Sequence, residues 1–536
     1  MGSGVDFKQY EPPGPVGAAF IKSKGPIDLI MGPGGSGKTV ASVVKGPRLA
    51  GAYCAVDKNG WVRVKTLCVR ETYRSFAATA LASWYNMFPE DHPWTHKHEG
   101  GQDRPVKHTL RFQVQRGWDA LNVEYTMETG AIGDNNLEEF FKGYEITLGW
   151  GNECDLLPEN AMPLMLQRTG RFPPLDELAT SEVERLSRDG REMMKLMNLE
   201  LEDPNEIVLN RIVWGDYNPP DIDNWAVRIP ITEKQPGYNH FHQPSGLAHD
   251  AENRKGKPRS SYQVEAATTK DKQLVRRMVH SLPGYAKDGT PVYEDDFDEQ
   301  LHKADQTILP VPQLGLTIGM DAGGSPAATI GQFMPDGQNR CLAELATKPG
   351  TGPTRFANAL LELLMRRFPG IPIIGAWADP SSWYGGDSAT GELNWIKTVQ
   401  GILRFPIMPA PSNEPGIRQE AVRWYLEGRI DGRTQRYQID PSCRYLIAGF
   451  AAHFKLTKQA TAGATNSMEV VKNEYSHVHD AEQYRCLGFR GLAAVIGDVA
   501  KNSLPANVSS IQQRREARGL NQEARRKPGD FDVWQV

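Results

Sequence analysis

Two α/β units in one chain, each a sheet of buried strands covered by helices, is the fold class the sequence predicts. Three observations carry it. Short apolar runs alternate with helical stretches up to about residue 228, and the alternation resumes from about 310 to 499. A polar stretch from about 235 to 289, rich in Lys, Arg, His, Gly and Pro, lies between the two regions. The 536 residues are about three and a half times the ~150 of a typical domain. Strand and helix in alternation argue for a parallel sheet with both faces covered. The limits expected are a first domain over 1–230, a joint over 231–304, a second domain over 305–500 and a tail over 501–536.

In the first region, 27–31, 66–70, 145–150 and 207–214 read as buried strands, and 75–87 and 182–199 as helices. The joint carries a helix over 262–281. In the second region 316–321 and 328–334 form a hairpin, with a third strand over 340–346. A helix over 354–367 follows, then a strand over 371–378 and helices over 393–400, 417–427 and 479–491. Hairpin, strand, helix, strand, then helices is the order of an RNase H-like fold. The tail carries Lys501, Arg514, Arg515, Arg518, Arg525, Arg526 and Lys527 with few apolar residues, and reads as a mobile basic arm.

Composition narrows the class. Hydrophobic content of 39% and charged content of 24% suit a soluble globular protein and exclude collagen-like or coiled-coil chains. Mean hydropathy is −0.50, and no apolar run approaches the ~20 residues of a membrane helix. Met1-Gly2-Ser3-Gly4-Val5-Asp6 lacks the basic and apolar regions of a signal peptide, so a cytoplasmic location is expected. The net charge is −4, from 61 basic and 65 acidic residues, so any nucleic-acid binding must come from local basic surfaces. Cys54, Cys68, Cys154, Cys341, Cys443 and Cys486 show no CxxC-type spacing and read as reduced, buried thiols.

Gly32-Pro33-Gly34-Gly35-Ser36-Gly37-Lys38-Thr39 fits the phosphate-binding loop pattern at every fixed position. Glycines let successive backbone N–H groups converge on the phosphates of ATP; Lys38 reaches the outer phosphates and the Thr39 hydroxyl serves Mg2+. An apolar strand precedes the loop, and the helix that follows offers its N-terminus to anions. The first domain is therefore expected to be a P-loop NTPase.

A nucleotide hydrolase also needs an acid at the end of a neighbouring strand. The run 146–151 ends in Asn152-Glu153, where an Asp-Glu pair is usual. Glu153 is the expected catalytic base. With Asn152 in place of Asp, the metal should lean more on Thr39 and the phosphates, and Asp155 is the nearest rival ligand.

Three aspartates carry the second chemistry. Asp321 ends one apolar run, Asp379 ends another, and Asp480 stands in Ser476-His477-Val478-His479-Asp480-Ala481 at a helix start. Converging carboxylates can hold two divalent cations ~4 Å apart, one activating water and one stabilising the leaving oxygen of a phosphodiester. Taken singly, each aspartate also reads as a turn or cap residue. His477 and His479 read as ligands or, more readily, as capping or orienting groups.

A P-loop ATPase followed by an RNase H-like nuclease resembles the large terminase subunit of tailed double-stranded DNA bacteriophages. Further motifs carry the likeness over about residues 15–495. Val69-Arg70-Glu71-Thr72-Tyr73-Arg74 resembles the family's arginine-bearing strand, and Gly215-Asp216-Tyr217-Asn218-Pro219-Pro220 its coupling motif. Pro291-Val292-Tyr293-Glu294-Asp295-Asp296-Phe297 resembles the segment leading into the nuclease, and Ser476–Ala481 with Tyr484 its nuclease helix. The arginine finger stays open among Arg70, Arg74, Arg168 and Arg171.

The resemblance implies a motor that hydrolyses ATP to drive double-stranded DNA into a procapsid and cuts concatemers with a nuclease using Mg2+ or Mn2+. It implies a portal protein and a small terminase subunit as partners, and a ring, expected to be a pentamer, on the portal. The location implied is the host cytoplasm and, transiently, the portal vertex, but not the mature virion. Competing readings are a helicase-nuclease or transposition-type ATPase that engages no portal, and a non-catalytic assembly protein.

Overall fold

The computed structural model describes residues 10–502 except 74–75, 77–78, 102–103, 134–135, 204, 286–288, 385–393 and 459–467. Arg74 and the basic tail beyond residue 502 lie outside the described residues. The chain divides into two compact units, one ending at Ala286 and the other beginning at Lys287.

The first unit is built on an eight-stranded sheet. Its strands are β1 (Ile27–Met31), β2 (Trp61–Arg70), β3 (Thr95–Gly101), β4 (Arg104–Arg116), β5 (Asp119–Ala131), β6 (Leu148–Asn152), β7 (Ile212–Tyr217) and β8 (Tyr238–His242), in the spatial order β3-β4-β5-β2-β6-β7-β1-β8. The β5-β2-β6-β7-β1-β8 section is parallel, and β3 and β4 extend it antiparallel. β1, β6 and β7 are buried at every residue, as strands covered on both faces must be.

Side chains alternate between two cores. Ile30, Trp150 and Trp214 join Val43, Val44, Trp84 and Tyr125 on one face. Leu29, Met31, Val213 and Tyr217 join Met162, Met165 and Trp225 on the other. The helix after the loop, Lys38–Ala52, lies on the first face. It is anchored by the fully buried pair Lys45–Asp28 at 2.8 Å. Leaving one partner of such a pair alone costs about 3–5 kcal/mol.

The expected joint over 231–304 is shared between the units rather than standing apart. β8 pairs with β1, and helices Arg259–Thr268 and Lys272–Met278 belong to the first unit, whereas residues from 289 onward belong to the second. The single helix expected over 262–281 is thus two, with Asp271 capping the second through Gln273 N and Leu274 N. Tyr-Asn-His-Phe-His in β8 is too polar to read as a strand; only its pairing with β1 makes it one. The antiparallel β3–β5 extension was likewise absent from the expected elements.

The second unit holds a six-stranded sheet. After the short strand β9 (Thr290–Pro291) come β10 (Leu316–Asp321), β11 (Ala327–Phe333), β12 (Asn339–Ala346), β13 (Ile373–Ala378) and β14 (Met408–Pro409). The small pair β15 (Arg429–Ile430) and β16 (Thr434–Gln435) precedes β17 (Tyr437–Ile439), then β18 (Lys455–Lys458) and β19 (Met468–Val470). The main sheet runs β14-β13-β10-β11-β12-β17, with β10–β11–β12 antiparallel and β13 parallel to β10. This is the RNase H-like order the sequence predicts.

Helix Glu474–Arg490 lies against β10. A Cβ on Gly319 would stand 1.9 Å from the Ala481 carbonyl, so only glycine permits the approach. Inside the helix, Arg485 and Glu482 pair at 2.6 Å with both side chains wholly buried, and Arg485 also donates to Asn339 and Thr317. All six cysteines are buried and free.

Candidate functional sites

The loop between β1 and helix Lys38–Ala52 turns on Gly35 at φ +81° and Gly37 at φ +87°, left-handed values that favour glycine. The turn brings Lys38 back over its own loop. Its Nζ donates to the carbonyls of Gly32 (2.9 Å) and Pro33 (2.8 Å), and to Asn218 Oδ1 (3.0 Å). Burial pulls this ammonium down to about 8, although Asp216, Asp155 and Glu153 draw it the other way. Asn218 therefore links the segment after β7 to Lys38 of the loop.

The strand order decides which acids meet the loop. β7, not β6, lies next to β1, and Asp216 on β7 stands in register between Ile30 of β1 and Asn152 of β6. Asp216 is 1% exposed. Its Oδ2 accepts from the Thr39 hydroxyl (3.0 Å) and from Asn152 Nδ2 (3.0 Å), and its Oδ1 accepts from Trp150 Nε1 (2.6 Å). Burial raises its carboxyl above the ordinary range, against those hydrogen bonds and Lys38.

Glu153 follows β6 in the left-handed region, at φ +47°, a strained setting for a non-glycine residue. Its carboxylate pairs with Arg70 at the end of β2. Arg70 also donates to Asn152 Oδ1 (2.7 Å) and to the Thr79 hydroxyl. Asp155, in the short helix after Glu153, is pushed up to about 7 by burial and then by Glu153 beside it.

Gly32 to Thr39, Glu153, Asn218 and Arg70 are thus brought together. Arg168 and Arg171 are not: Thr169 bridges Ile146, before the start of β6, so these arginines lie at the opposite end of that strand from Glu153. At ~3.3 Å per residue the separation is about 20 Å. Asp216 is the residue the reading of the site passed over. It ends the apolar run 212–215, the same signal that marked Asp321 and Asp379.

In the second unit, Asp321 closes β10 and Asp379 follows β13, whose register pairs Met320 with Ala378. The two aspartates therefore sit side by side at the carboxyl ends of adjacent parallel strands, where open α/β sheets bind ligands. Asp480 reaches the same end from helix Glu474–Arg490. It is 4% exposed, and accepts from Arg418 (3.1 Å) and Lys472 (2.6 Å). Asp321 is raised by burial and by Asp480, and eased by the His477 Nδ1 contact at 2.7 Å.

Asp379 caps Ser381 N (2.8 Å) and accepts from Asn413 Nδ2 (3.1 Å), and Tyr484 O–H donates to Asn413 (2.7 Å). The three carboxylates gather at one sheet end but do not bring one oxygen each within 4.8 Å of one another. Carboxylates gathered at a strand end, with Asp321 raised by burial and by Asp480, are a donor set suited to hard cations. His477 meets Asp321 through Nδ1 at 2.7 Å. His479 is a core residue: it packs parallel to Phe454 at 4.6 Å, donates from Nε2 to the Leu446 carbonyl (3.1 Å), and is driven down to about 3 by burial.

The fold and these residues define a class: a P-loop unit and an RNase H-like unit in one chain. Neither a protein-family model nor a curated protein matches the sequence. Among solved structures the chain is similar to the large terminase of the thermophilic bacteriophage D6E, at 13% identity over 88% of this chain and 98% of that one, with a TM-score of 0.35. It is similar to the same terminase in complex with ATP-gamma-S, at 12% identity over 88% and 98% with a TM-score of 0.33. It is also similar to the ATPase domain of the Thermus phage P74-26 large terminase, at 13% identity over 52% and 96% with a TM-score of 0.27. These are distant likenesses, and the functional reading rests on the residues of the two sites.

Proposed function

We propose that this chain is a viral DNA-packaging motor of the large terminase type, which hydrolyses ATP to move double-stranded DNA into a procapsid and cuts concatemeric DNA. One observation carries the reading: a single chain joins a P-loop set of Lys38, Thr39, Glu153 and Asn218 to strand-end carboxylates Asp321, Asp379 and Asp480 on an RNase H-like sheet. In the first unit Lys38 holds the outer phosphates and Glu153 orients the attacking water. Asn218 exchanges its contact with Lys38 when phosphate arrives, which would pass nucleotide occupancy to the segment after β7. When bound, Mg2+ neutralises charge on the phosphates.

In the second unit Asp321, Asp379 and Asp480 would hold Mg2+ or Mn2+, which supply an activated water and stabilise the leaving oxygen. Asp480 must first be released from Lys472 and Arg418, and His477 keeps Asp321 aimed. The partners proposed are DNA, a portal protein, a small terminase subunit and further copies in a ring. Among the described residues, no helix is long and apolar enough to cross a membrane.

The test is packaging of linear DNA into purified procapsids with this protein and ATP. ATP-dependent protection of the DNA from nuclease, lost in Lys38→Ala, supports the proposal. ATP hydrolysis and plasmid cleavage without packaging or portal capture would make the protein a nuclease-ATPase of another kind.

A further inference from the structure

We infer that Asp216 is the carboxylate of the ATP-bound Mg2+ site, doing from β7 the work for which Asn152 lacks the charge, and that Asn152 is a positioning residue that holds it. The inference rests on the ATPase reading above and adds to it the identity of the metal-site acid.

Charge comes first. A loop that gathers ATP phosphates around Mg2+ commonly pairs its Thr hydroxyl with an acid. Asn152, at the strand end where that acid was sought, carries none. Asp155 sits after the strand and makes no contact with Thr39 in the structure, whereas Asp216 accepts the Thr39 hydroxyl at 3.0 Å.

Placement comes second. β7 lies between the loop strand and β6, so Asp216 is nearer the loop in the sheet than any residue of β6. The register sets it beside Asn152 and opposite Ile30, on the face covered by helix Lys38–Ala52. A carboxylate on that face meets Thr39 with no change of backbone.

Third, the neighbours suit an amide at 152 and an acid at 216. Asn152 accepts from Arg70 through Oδ1 (2.7 Å) and donates to Asp216 through Nδ2 (3.0 Å). A carboxamide does both at once, whereas an ionised carboxylate at 152 could only accept. An aspartate at 152 would set two buried carboxylates against each other, a repulsion that raises one of them out of its ionised form. The result is a relay from Arg70 through Asn152 to Asp216 and Thr39. A buried carboxylate with no bound cation in its ordinary chemistry would be costly to retain, and Trp150 Nε1 adds a third donor that fixes its orientation (2.6 Å).

The test reads nucleotide binding rather than turnover. Affinity for a fluorescent ATP analogue is measured with Mg2+ and with EDTA, for wild type, Asp216→Asn, Asp216→Ser, Asp155→Asn and the exchange variant Asn152→Asp/Asp216→Asn. Wild type should bind more tightly with Mg2+. Asp216→Asn and Asp216→Ser should lose that gain, by about 10- to 100-fold in metal affinity, while binding in EDTA holds. Asp155→Asn should keep it, and the exchange variant should regain it.

Full Mg2+ enhancement in a folded Asp216 variant, or its loss in Asp155→Asn alone, overturns the inference. A crystal structure of wild type with Mg2+ and ATP-gamma-S decides it without any variant. Asp216 should contact the ion or one of its waters, and a metal shell held by Asp155 or Glu153 instead refutes it. Failure of wild type to bind ATP at all, with or without Mg2+, would refute the ATPase reading rather than this assignment.

Discussion

Binding of ATP should take up a proton at Lys38 when the pH is alkaline. The perturbation is pH itself, acting on Lys38. Burial holds the ammonium at about 8 in the nucleotide-free protein. Phosphate oxygens beside Nζ favour the charged form, so the bound state keeps the proton well above that pH. At pH 8.5 about three quarters of the free protein has a neutral Lys38, so this lysine should take up ~0.7 proton per ATP, against ~0.1 at pH 7.

Affinity should fall with the neutral fraction, reaching about tenfold weaker at pH 9 than at pH 7. The assay is titration calorimetry at each pH in two buffers of different ionisation heat, in EDTA. Metal is left out because Asp155, held at about 7, would release a proton near neutrality if a cation bound beside it. By pH 8.5 Asp155 is ionised in both states, as is the terminal phosphate of ATP. Binding heats at pH 8.5 that do not depend on the buffer would refute the argument, because they would mean that Lys38 is charged in both states.

Three further outcomes are expected. Glu153→Gln should bind ATP as wild type does, yet hydrolyse it orders of magnitude more slowly in a steady-state phosphate-release assay, since only the water-orienting charge is lost. Asp321→Asn and Asp480→Asn should each abolish Mg2+-dependent plasmid digestion with ATPase activity nearly unchanged. Their melting curves should part: Asp321→Asn holds or rises because burial and Asp480 already disfavour its charge, whereas Asp480→Asn loses about 1–3 kcal/mol by stranding the buried Arg418. Arg485→Met should cost about 3–5 kcal/mol in chemical denaturation, because Glu482 is left charged and wholly buried.

The loop from Gly32 to Thr39 was legible in the sequence because its chemistry is local. Eight consecutive residues make the turn, and their φ angles and the Lys38 contacts to the Gly32 and Pro33 carbonyls are set within the loop. Asp321 and Asp379 were legible for a related reason: each ends a run of apolar residues, and a carboxylate there is conspicuous. Asp216 ends such a run too, yet its meaning depended on which strand lies beside β1, and strand order is not written in any one segment. The same holds for Arg70, whose partners Asn152 and Glu153 lie more than 80 positions away.

By itself, then, the sequence determined the two α/β units, the phosphate-binding loop and the strand-end aspartates, because apolar patterning and glycine-rich turns act over a few neighbouring residues. Only the tertiary structure decided that β8 joins the first sheet, that His479 is core while His477 faces Asp321, and that Asp216 rather than an acid of β6 meets Thr39. Those outcomes come from hydrogen-bonded register between strands far apart in the chain, and from desolvation, which acts on a residue according to what packs around it.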